Sequence, residues 1–518
     1  MRASAPTGIL DDISALLAAL PANIGQLAHR IAAVAPERPA LREDDRQLTY
    51  AQLAAAVDAT SQRLRAAGVR PGDRVMLVNE NCAALVVLLL ATANLGAWSL
   101  VANARLSAAE IDAIQSHARA RLTLYTNGIS PDALGHAQRH QATPADWADL
   151  LGIGQVAVGP LNVDCTPEPT SPDPAQQCAA LIYTTGTTGQ PKGVMLSHRN
   201  LLFIAAVSSL LRRVNGDDLV YAVLPISHVY GLASVCLGTL YAGGTLRLVP
   251  RFDPARVLHA LANEGVTIFQ GVPAMHAKLL EHLDAQQRPL DAPRLRFVYS
   301  GGSPLDQTLK VRAEARYGLP LHNGYGMTES SPTISQTRLD APCTDCSVGP
   351  LIPGIEARLA DGDAQIGELW VRGPNVMLGY YCDPAQTRAA LSADGWLKTG
   401  DMARFDEHGN LHIVGRRKEL IIRSGFNVYP AEVEQALNSH PAVLQSAVIG
   451  RPVEGNEEVV AFVELKPGAA ALADEAALGA WASERLAPYK RPAEIRIVER
   501  LPAAATGKIL KHRLRDLL

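Results

Sequence analysis

From Leu48 to about Pro250, apolar strand-like runs alternate with amphipathic helical stretches, the pattern of a parallel sheet with helices on both faces. Arg74–Asn79 (RVMLVN) predicts one such strand, and Ala83–Ala93 the helix after it. Cys165–Cys178 is rich in Pro, Asp, Ser and Thr and cannot bury a face, so it reads as an exposed connection into the apolar run Ala179–Tyr183. Whatever follows that run is displayed at the C-terminal end of a strand. A second alternation extends from Leu219 to about Leu321, with short strands at Thr267–Phe269 and Phe297–Tyr299. From Ile352 to Tyr380 the pattern changes to short strands and Gly/Pro turns, which predicts a small β-rich unit. After Gly415 come a basic stretch, a glycine-containing stretch, and then helix, strand and helix. This places a boundary near Lys418, with one domain over residues 1–416 and a small α+β domain over residues 417–518.

At 518 residues, 47% of them hydrophobic, the chain has material for roughly three folding units at about 150 residues each, and disorder over most of its length is excluded. The 48 basic and 51 acidic residues leave a net charge of −3, which argues against a nucleic-acid partner. Seven scattered cysteines do not write a secreted disulfide framework, and the lone Cys343-x-x-Cys346 pair supplies half the ligands of a structural zinc site. Asp11 and Asp12 stand where the apolar core of a secretory signal would build, so the expected location is cytoplasmic. Ala83–Val101 approaches membrane-spanning length but is interrupted by Asn94 and Gly96. A buried helix and its following strand are expected there rather than a transmembrane segment.

Tyr183-Thr-Thr-Gly-Thr-Thr-Gly-Gln-Pro-Lys-Gly193 concentrates anion donors directly after a buried strand. Gly186, Gly189 and Gly193 allow backbone N–H groups to converge on a phosphate, Thr184, Thr185, Thr187 and Thr188 supply short hydroxyl donors, and Lys192 supplies charge. The Walker A spacing is absent, since it needs Gly at Pro191 and Ser or Thr at Gly193.

This loop and Gly324-Tyr-Gly-Met-Thr-Glu329 resemble the AMP-forming adenylate ligases, the superfamily of acyl-CoA synthetases. Seven further stretches follow that family's order: Leu224-Pro-Ile-Ser-His-Val-Tyr-Gly231, Tyr299-Ser-Gly-Gly-Ser-Pro304, Gly367–Gly373, Lys398-Thr-Gly-Asp401, Gly415-Arg-Arg-Lys418, Gly425–Pro430 and Thr506-Gly-Lys508. The resemblance implies an α/β fold. Its large N-terminal domain would hold two parallel-rich sheets and a small distorted β-barrel and bind ATP and the acid. A mobile α+β lid would turn on a hinge at Lys418.

It also implies a two-step reaction, in which a carboxylate attacks the α-phosphate of ATP and a thiol, coenzyme A, then displaces AMP from the acyl-adenylate. In the family's terms Glu329 resembles the Mg2+ ligand, with Thr184 beside it, and Thr328 a donor to the α-phosphate. Tyr325 would lie on adenine, Gly302, Ser303 and Pro304 along its edge, and Asn323, Gly324, Gly326 and Met327 around it. Asp401 would accept the ribose hydroxyls and Arg416 reach the same region. Lys508 matches the adenylation lysine, and Ser424, Gly425 and Phe426 would present to the thiol, with Ser424 departing from the commoner Gly-Gly.

For the acid, His228 resembles an aromatic gate, and Val229, Tyr230, Gly231, Ser234 and Val272 would line the pocket, with the glycines Gly231, Gly302, Gly324 and Gly326 leaving room for a bulky apolar group. No carboxylate among these positions could hold an α-ammonium, which argues against an amino acid. No arginine is assigned to the pocket, so a dicarboxylate lacks a counter-charge. A medium or long fatty acid and an aryl-propenoic acid both fit. Two other readings stand beside this one: an acyl-AMP ligase that loads a carrier protein's phosphopantetheine, and a nonenzymatic nucleotide or acyl-adenylate sensor.

Overall fold

The computed structural model describes residues 10–44, 46–145, 154–185, 191–360, 365–423, 426–453, 456–469, 472–503 and 509–518. Arg74–Asn79 is a strand at the predicted residues, buried at every position between parallel neighbours Trp98–Asn103 and Leu122–Tyr125. A strand covered on both faces needs a continuous apolar run rather than an alternating one, and RVMLVN supplies it. The helix Ala83–Asn94 is buried from Ala83 to Ala93 and hands on to Trp98–Asn103, as expected for a core element. Among the described residues, no helix is long and apolar enough to cross a membrane.

These strands belong to one eight-stranded sheet, which continues through Cys178–Thr185 and Pro191–Ser197 to a short edge strand, Gly379–Tyr380. A second eight-stranded sheet runs Thr333–Gln336, Leu321–Gly326, Phe297–Ser300, Ile268–Gly271, Leu219–Ala222, Thr245–Leu248, Pro39–Glu43 and Arg46–Thr49. Its five inner strands from Leu321–Gly326 to Thr245–Leu248 pair in parallel, so the ends that follow them gather along one edge. One apolar cluster, including Leu85–Ala91, Leu201–Val207 and Leu232–Leu237, packs between the two sheets.

The purely parallel pattern fails at the edges of both sheets and, of most consequence for the site, beside the glycine- and threonine-rich stretch. Cys178–Thr185 and Pro191–Ser197 form an antiparallel hairpin, with Thr184 opposite Lys192. The glycine- and threonine-rich stretch therefore lies between two antiparallel strands. The helix begins only at His198, where Ser197 and Asn200 form a capping box.

The β-rich unit is a four-stranded antiparallel sheet, Glu356–Ala360, Gly367–Arg372, Leu397–Phe405 and Leu411–Arg416, and so extends well past Tyr380. A single helical turn, Arg417–Glu419, separates it from the small C-terminal domain. That domain holds a hairpin (Ile421–Arg423 and Phe426–Val428), a three-stranded sheet and flanking helices around its own core. Lys418 is exposed on the connecting turn.

Candidate active site

The hairpin and the edge strand bring the phosphate-loop lysine toward Glu329. Gly379 and Tyr380 pair with Met195 and Val194, and Tyr381 N–H donates to Gly193 O at 2.8 Å. Tyr380 consequently lies with its ring centroid 5.6 Å from Lys192 Nζ while its hydroxyl donates to Glu329 Oε1 at 2.8 Å. Burial, and then the Glu329 charge, hold the Tyr380 phenol well above its ordinary range, so it remains a protonated donor. Glu329 sits in the short turn Thr328–Ser330, and its carbonyl accepts Met377 N–H at 2.9 Å. Thr328 is buried and Met327 half-buried beside it. Gly186, Thr187, Thr188 and Gly189 lie outside the described residues, as do Ser424, Gly425 and Lys508.

A second cluster forms where the inner sheet meets the four-stranded sheet. The Tyr325 hydroxyl donates to Asp401, and Arg416 Nε lies 3.2 Å from the other oxygen of the same carboxylate. Asp401 is buried, and its N–H donates to Thr399 Oγ1 at 3.1 Å. Thr399 in turn donates to Leu369 O, so the aspartate is seated by the strand beneath it. Burial and the Asp401 charge push the Tyr325 phenol well up. Arg416 also feels Glu329, which links this cluster electrostatically to the first. Asn323 donates through Nδ2 to the carbonyls of Cys346 and Ser347, both at 3.3 Å, which commits its amide nitrogen to holding the neighbouring loop.

The third cluster surrounds Tyr230. The segment Leu224–Ile226 is clamped by Asn81, whose Nδ2 donates to Ala222 O and Leu224 O while its Oδ1 accepts Ile226 N–H, each at 2.9 Å. After it the chain enters a buried π-helix, Tyr230–Leu237, a wide turn common at functional sites. His228 is exposed at the entrance, with Nδ1 accepting Tyr230 N–H at 3.3 Å. Tyr230 packs edge-on against Tyr299, with ring centroids 6.0 Å apart, and Val229 and Ser234 are buried behind it. Val272 Cγ1 faces Gly302 at 3.5 Å from where a Cβ would stand. Ser303 is half-buried and Pro304 exposed along the same rim.

The glycines do not leave the room expected of them. A Cβ on Gly231 would lie 2.2 Å from Pro225 O, one on Gly324 1.8 Å from Tyr299 Oη, and one on Gly326 2.0 Å from Pro332 O. The chain itself fills these spaces, and glycine is required by close approach. Gly302, at φ +82°, is the exception, with only Val272 nearby.

Sequence reasoning missed Tyr380, Asn81 and Arg212. Arg212 caps the end of the helix His198–Leu211, is 1% exposed, and donates to Gln270 Oε1 at 2.8 Å and Gln336 Oε1 at 3.2 Å. The available signal was a cation at the end of an otherwise apolar helix. Phe426 stands apart in the C-terminal domain, stacked on Tyr489 at 4.6 Å.

Residues 28–381 match the model of the AMP-binding enzyme family, and residues 432–508 that of the AMP-binding enzyme C-terminal domain. The chain is 36% identical to a feruloyl-CoA synthase of an Amycolatopsis species, over 95% of its own length and 98% of that protein's. It is 34% identical to the 3-[(3aS,4S,7aS)-7a-methyl-1,5-dioxo-octahydro-1H-inden-4-yl]propanoyl:CoA ligase of Mycobacterium tuberculosis, over 97% and 99% of the two lengths. Among solved structures, o-succinylbenzoate CoA synthetase from Bacillus subtilis, in complex with its acyl-adenylate intermediate, superposes with a TM-score of 0.79 at 30% identity, covering 95% of this chain and 98% of that one. With three polar clusters set along the strand ends of one large domain and this similarity nearly end to end, the chain belongs to the AMP-binding enzyme family and is an AMP-forming acyl-CoA synthetase, an ATP-dependent ligase that works through an acyl-adenylate.

Proposed function

We propose that this ligase joins a carboxylic acid bearing an aromatic or fused ring to free coenzyme A. The observation that carries the reading is the edge-on pair Tyr230–Tyr299 against Gly301, an aromatic surface suited to a ring. It is supported by the names of the three relatives given above, whose acids each contain a ring. Free coenzyme A is preferred to a carrier protein because these relatives are named as CoA synthases and ligases.

In this reading the adenine rests on Tyr325 and along Gly302, Ser303 and Pro304, with Asn323, Gly324, Gly326 and Met327 forming the surrounding backbone. Asp401 accepts the ribose hydroxyls, Arg416 steadies the same end, and the hairpin loop around Thr184–Lys192 holds the phosphates. The donors near the triphosphate are oxygens, the Glu329 carboxylate and the hydroxyls of Thr184 and Thr328, a set that suits a hard divalent cation. Glu329 and Thr184 would hold Mg2+, which supplies neutralising charge to the phosphates. Tyr380 orients Glu329 by its hydroxyl, and Lys192 adds a cation at the same end.

His228, Val229, Tyr230, Gly231, Ser234 and Val272 border the acid. Lys508 brings its ammonium between the acid's carboxylate and the α-phosphate, where charge develops. Rotation of residues 417–518 at Lys418 then exchanges Lys508 for Ser424, Gly425 and Phe426, which border the thiol. The test is pyrophosphate release from ATP and magnesium with cinnamate, indoleacetate, octanoate and palmitate, each with and without coenzyme A. Turnover confined to the ring acids and dependent on coenzyme A is expected. Preference for palmitate, or adenylation that coenzyme A does not accelerate, would overturn it.

A further inference from the structure

The inner sheet places a buried cation beneath the acyl wall. In the register of its parallel strands, Gln270 stands beside Tyr299 and Tyr299 beside His322. Registered residues share a face, and so do residues two apart along each strand. Val272, Gly301 and Gly324 are therefore the next row toward the strand ends, directly above Gln270, Tyr299 and His322. The Tyr299 hydroxyl fills the space over Gly324, which ties the two rows together. Arg212 reaches this lower row from the end of the helix His198–Leu211, its guanidinium carbon 4.5 Å from the Tyr299 ring centroid. One turn earlier on that helix Ser208 faces Ser234 of the acyl wall, with the two hydroxyls 3.4 Å apart.

The guanidinium is incompletely matched. Its side-chain partners are the neutral amides of Gln270 and Gln336 and the neutral phenol of Tyr299, and among the described residues no carboxylate lies within ion-pairing distance. Arg212 Nε is buried with no hydrogen-bond partner, and so is the Tyr230 hydroxyl at the same wall. Tyr299 packs against both the guanidinium and the Tyr230 ring, so the three groups form one cluster. A guanidinium keeps its charge in a protein, and burying one without a counter-charge costs several kcal/mol. Two unmet donors at the end of a substrate pocket are an arrangement that a ligand oxygen would complete.

We infer that Arg212 and Tyr230 set the specificity of the pocket by receiving a hydrogen-bond-accepting oxygen, a carbonyl, hydroxyl, ether or second carboxylate, at the end of the acid far from the reacting carboxyl. The inference rests on the acyl-pocket reading given above and narrows it: a ring alone is an incomplete substrate. A purely apolar chain end would leave the buried donors unmet, and a site built around such donors discriminates strongly against the analogue that lacks the acceptor.

The test is pyrophosphate release with matched pairs of acids that differ only by a far-end oxygen, cinnamate with 4-hydroxycinnamate and octanoate with 8-hydroxyoctanoate. In whichever pair is used, the oxygenated member should have the higher kcat/KM by about 100-fold or more. Arg212→Met should lower that ratio at least about tenfold, chiefly through KM of the oxygenated acid. Gln336→Glu serves as the second variant, because it sets a carboxylate against the guanidinium while keeping the helix end, and it should lower the ratio in the same direction. A ratio within about threefold of one in the unaltered enzyme overturns the inference, as does a ratio that survives both substitutions. If only the octanoate pair is turned over, the ring-acid reading falls while the ratio within that pair still decides the role of Arg212.

Discussion

Two arginines divide the site into contrasting halves. Arg416 is about half exposed and faces a carboxylate, Asp401, which also takes the Tyr325 hydroxyl. Arg212 is fully buried and faces two amides and an aromatic ring. In the first half, charge is balanced within the protein and screened by water, so a nucleotide can exchange one set of polar partners for another at little penalty. In the second, desolvation has already been incurred and the balance is left open. Under the proposed assignment, the half around Arg416 suits a common substrate that comes and goes, and the half around Arg212 suits discrimination.

The contrast can be probed from its strongest point downward. The largest effect is expected at the proposed adenylation lysine, where Lys508→Ala should reduce the adenylation rate on the order of 10²–10³, the loss expected for a preorganised charge donor. Thioester formation from supplied acyl-AMP should fall far less; equal losses in the two half-reactions would remove Lys508 from the chemical step.

The buried half should also be the acid-sensitive one. Burial pushes His276 and His322, which flank Tyr299, from 6.5 down to about 4. These groups stay neutral in the fold while the unfolded chain takes up protons below about 6.5, so stability falls as pH drops from 6.5 toward 4. At pH 5 the loss is on the order of 2 kcal/mol for each histidine, readable as a lower denaturation midpoint than at pH 7.5. An unchanged midpoint in His276→Gln relative to the parent's acid sensitivity would show that His276 contributes none of it.

Gly324→Ala forces a methyl onto the Tyr299 hydroxyl and should destabilise the fold by about 1–3 kcal/mol in thermal or chemical denaturation. Combining it with Tyr299→Phe should return part of that loss, because the clash is shared. The smallest effect is expected in the nucleotide half, where Tyr380→Phe removes the donor to Glu329 and should lower kcat/KM for ATP by about 3- to 10-fold, with little change for the acid.

The two halves also differ in how far the chain announced them. Thr184, Lys192, Glu329, Asp401 and Arg416 stand in short contiguous stretches whose donor chemistry is visible residue by residue, and the folded chain brings Lys192, Tyr380 and Glu329 together, and Tyr325, Asp401 and Arg416. The strand Arg74–Asn79 and the helix after it were legible because continuous apolar runs have few other uses. The hairpin at Thr184–Lys192 was hidden because strand polarity is decided by pairing, which no local period encodes. Arg212 was hidden for a related reason. It meets Gln270, Tyr299 and Gln336 across separations of 58 to 124 residues, and an arginine at a helix end ordinarily faces water. Tyr380 reads as one more apolar position until the edge strand pairs with Pro191–Ser197.

The crowded glycines set limits on redesign. An engineer seeking to reshape acid preference would ordinarily vary the small residues of the pocket first. Here Gly231, Gly324 and Gly326 are occupied from behind by Pro225, Tyr299 and Pro332, so a library at these positions would mostly return destabilised protein. The positions where volume can be traded are side chains, Val272 beside Gly302 and Tyr230 beside Gly301 and Tyr299. The breadth of acids that laboratory evolution can reach from this scaffold is accordingly set by a few side chains on neighbouring strands and the π-helix, and hardly at all by the motif glycines.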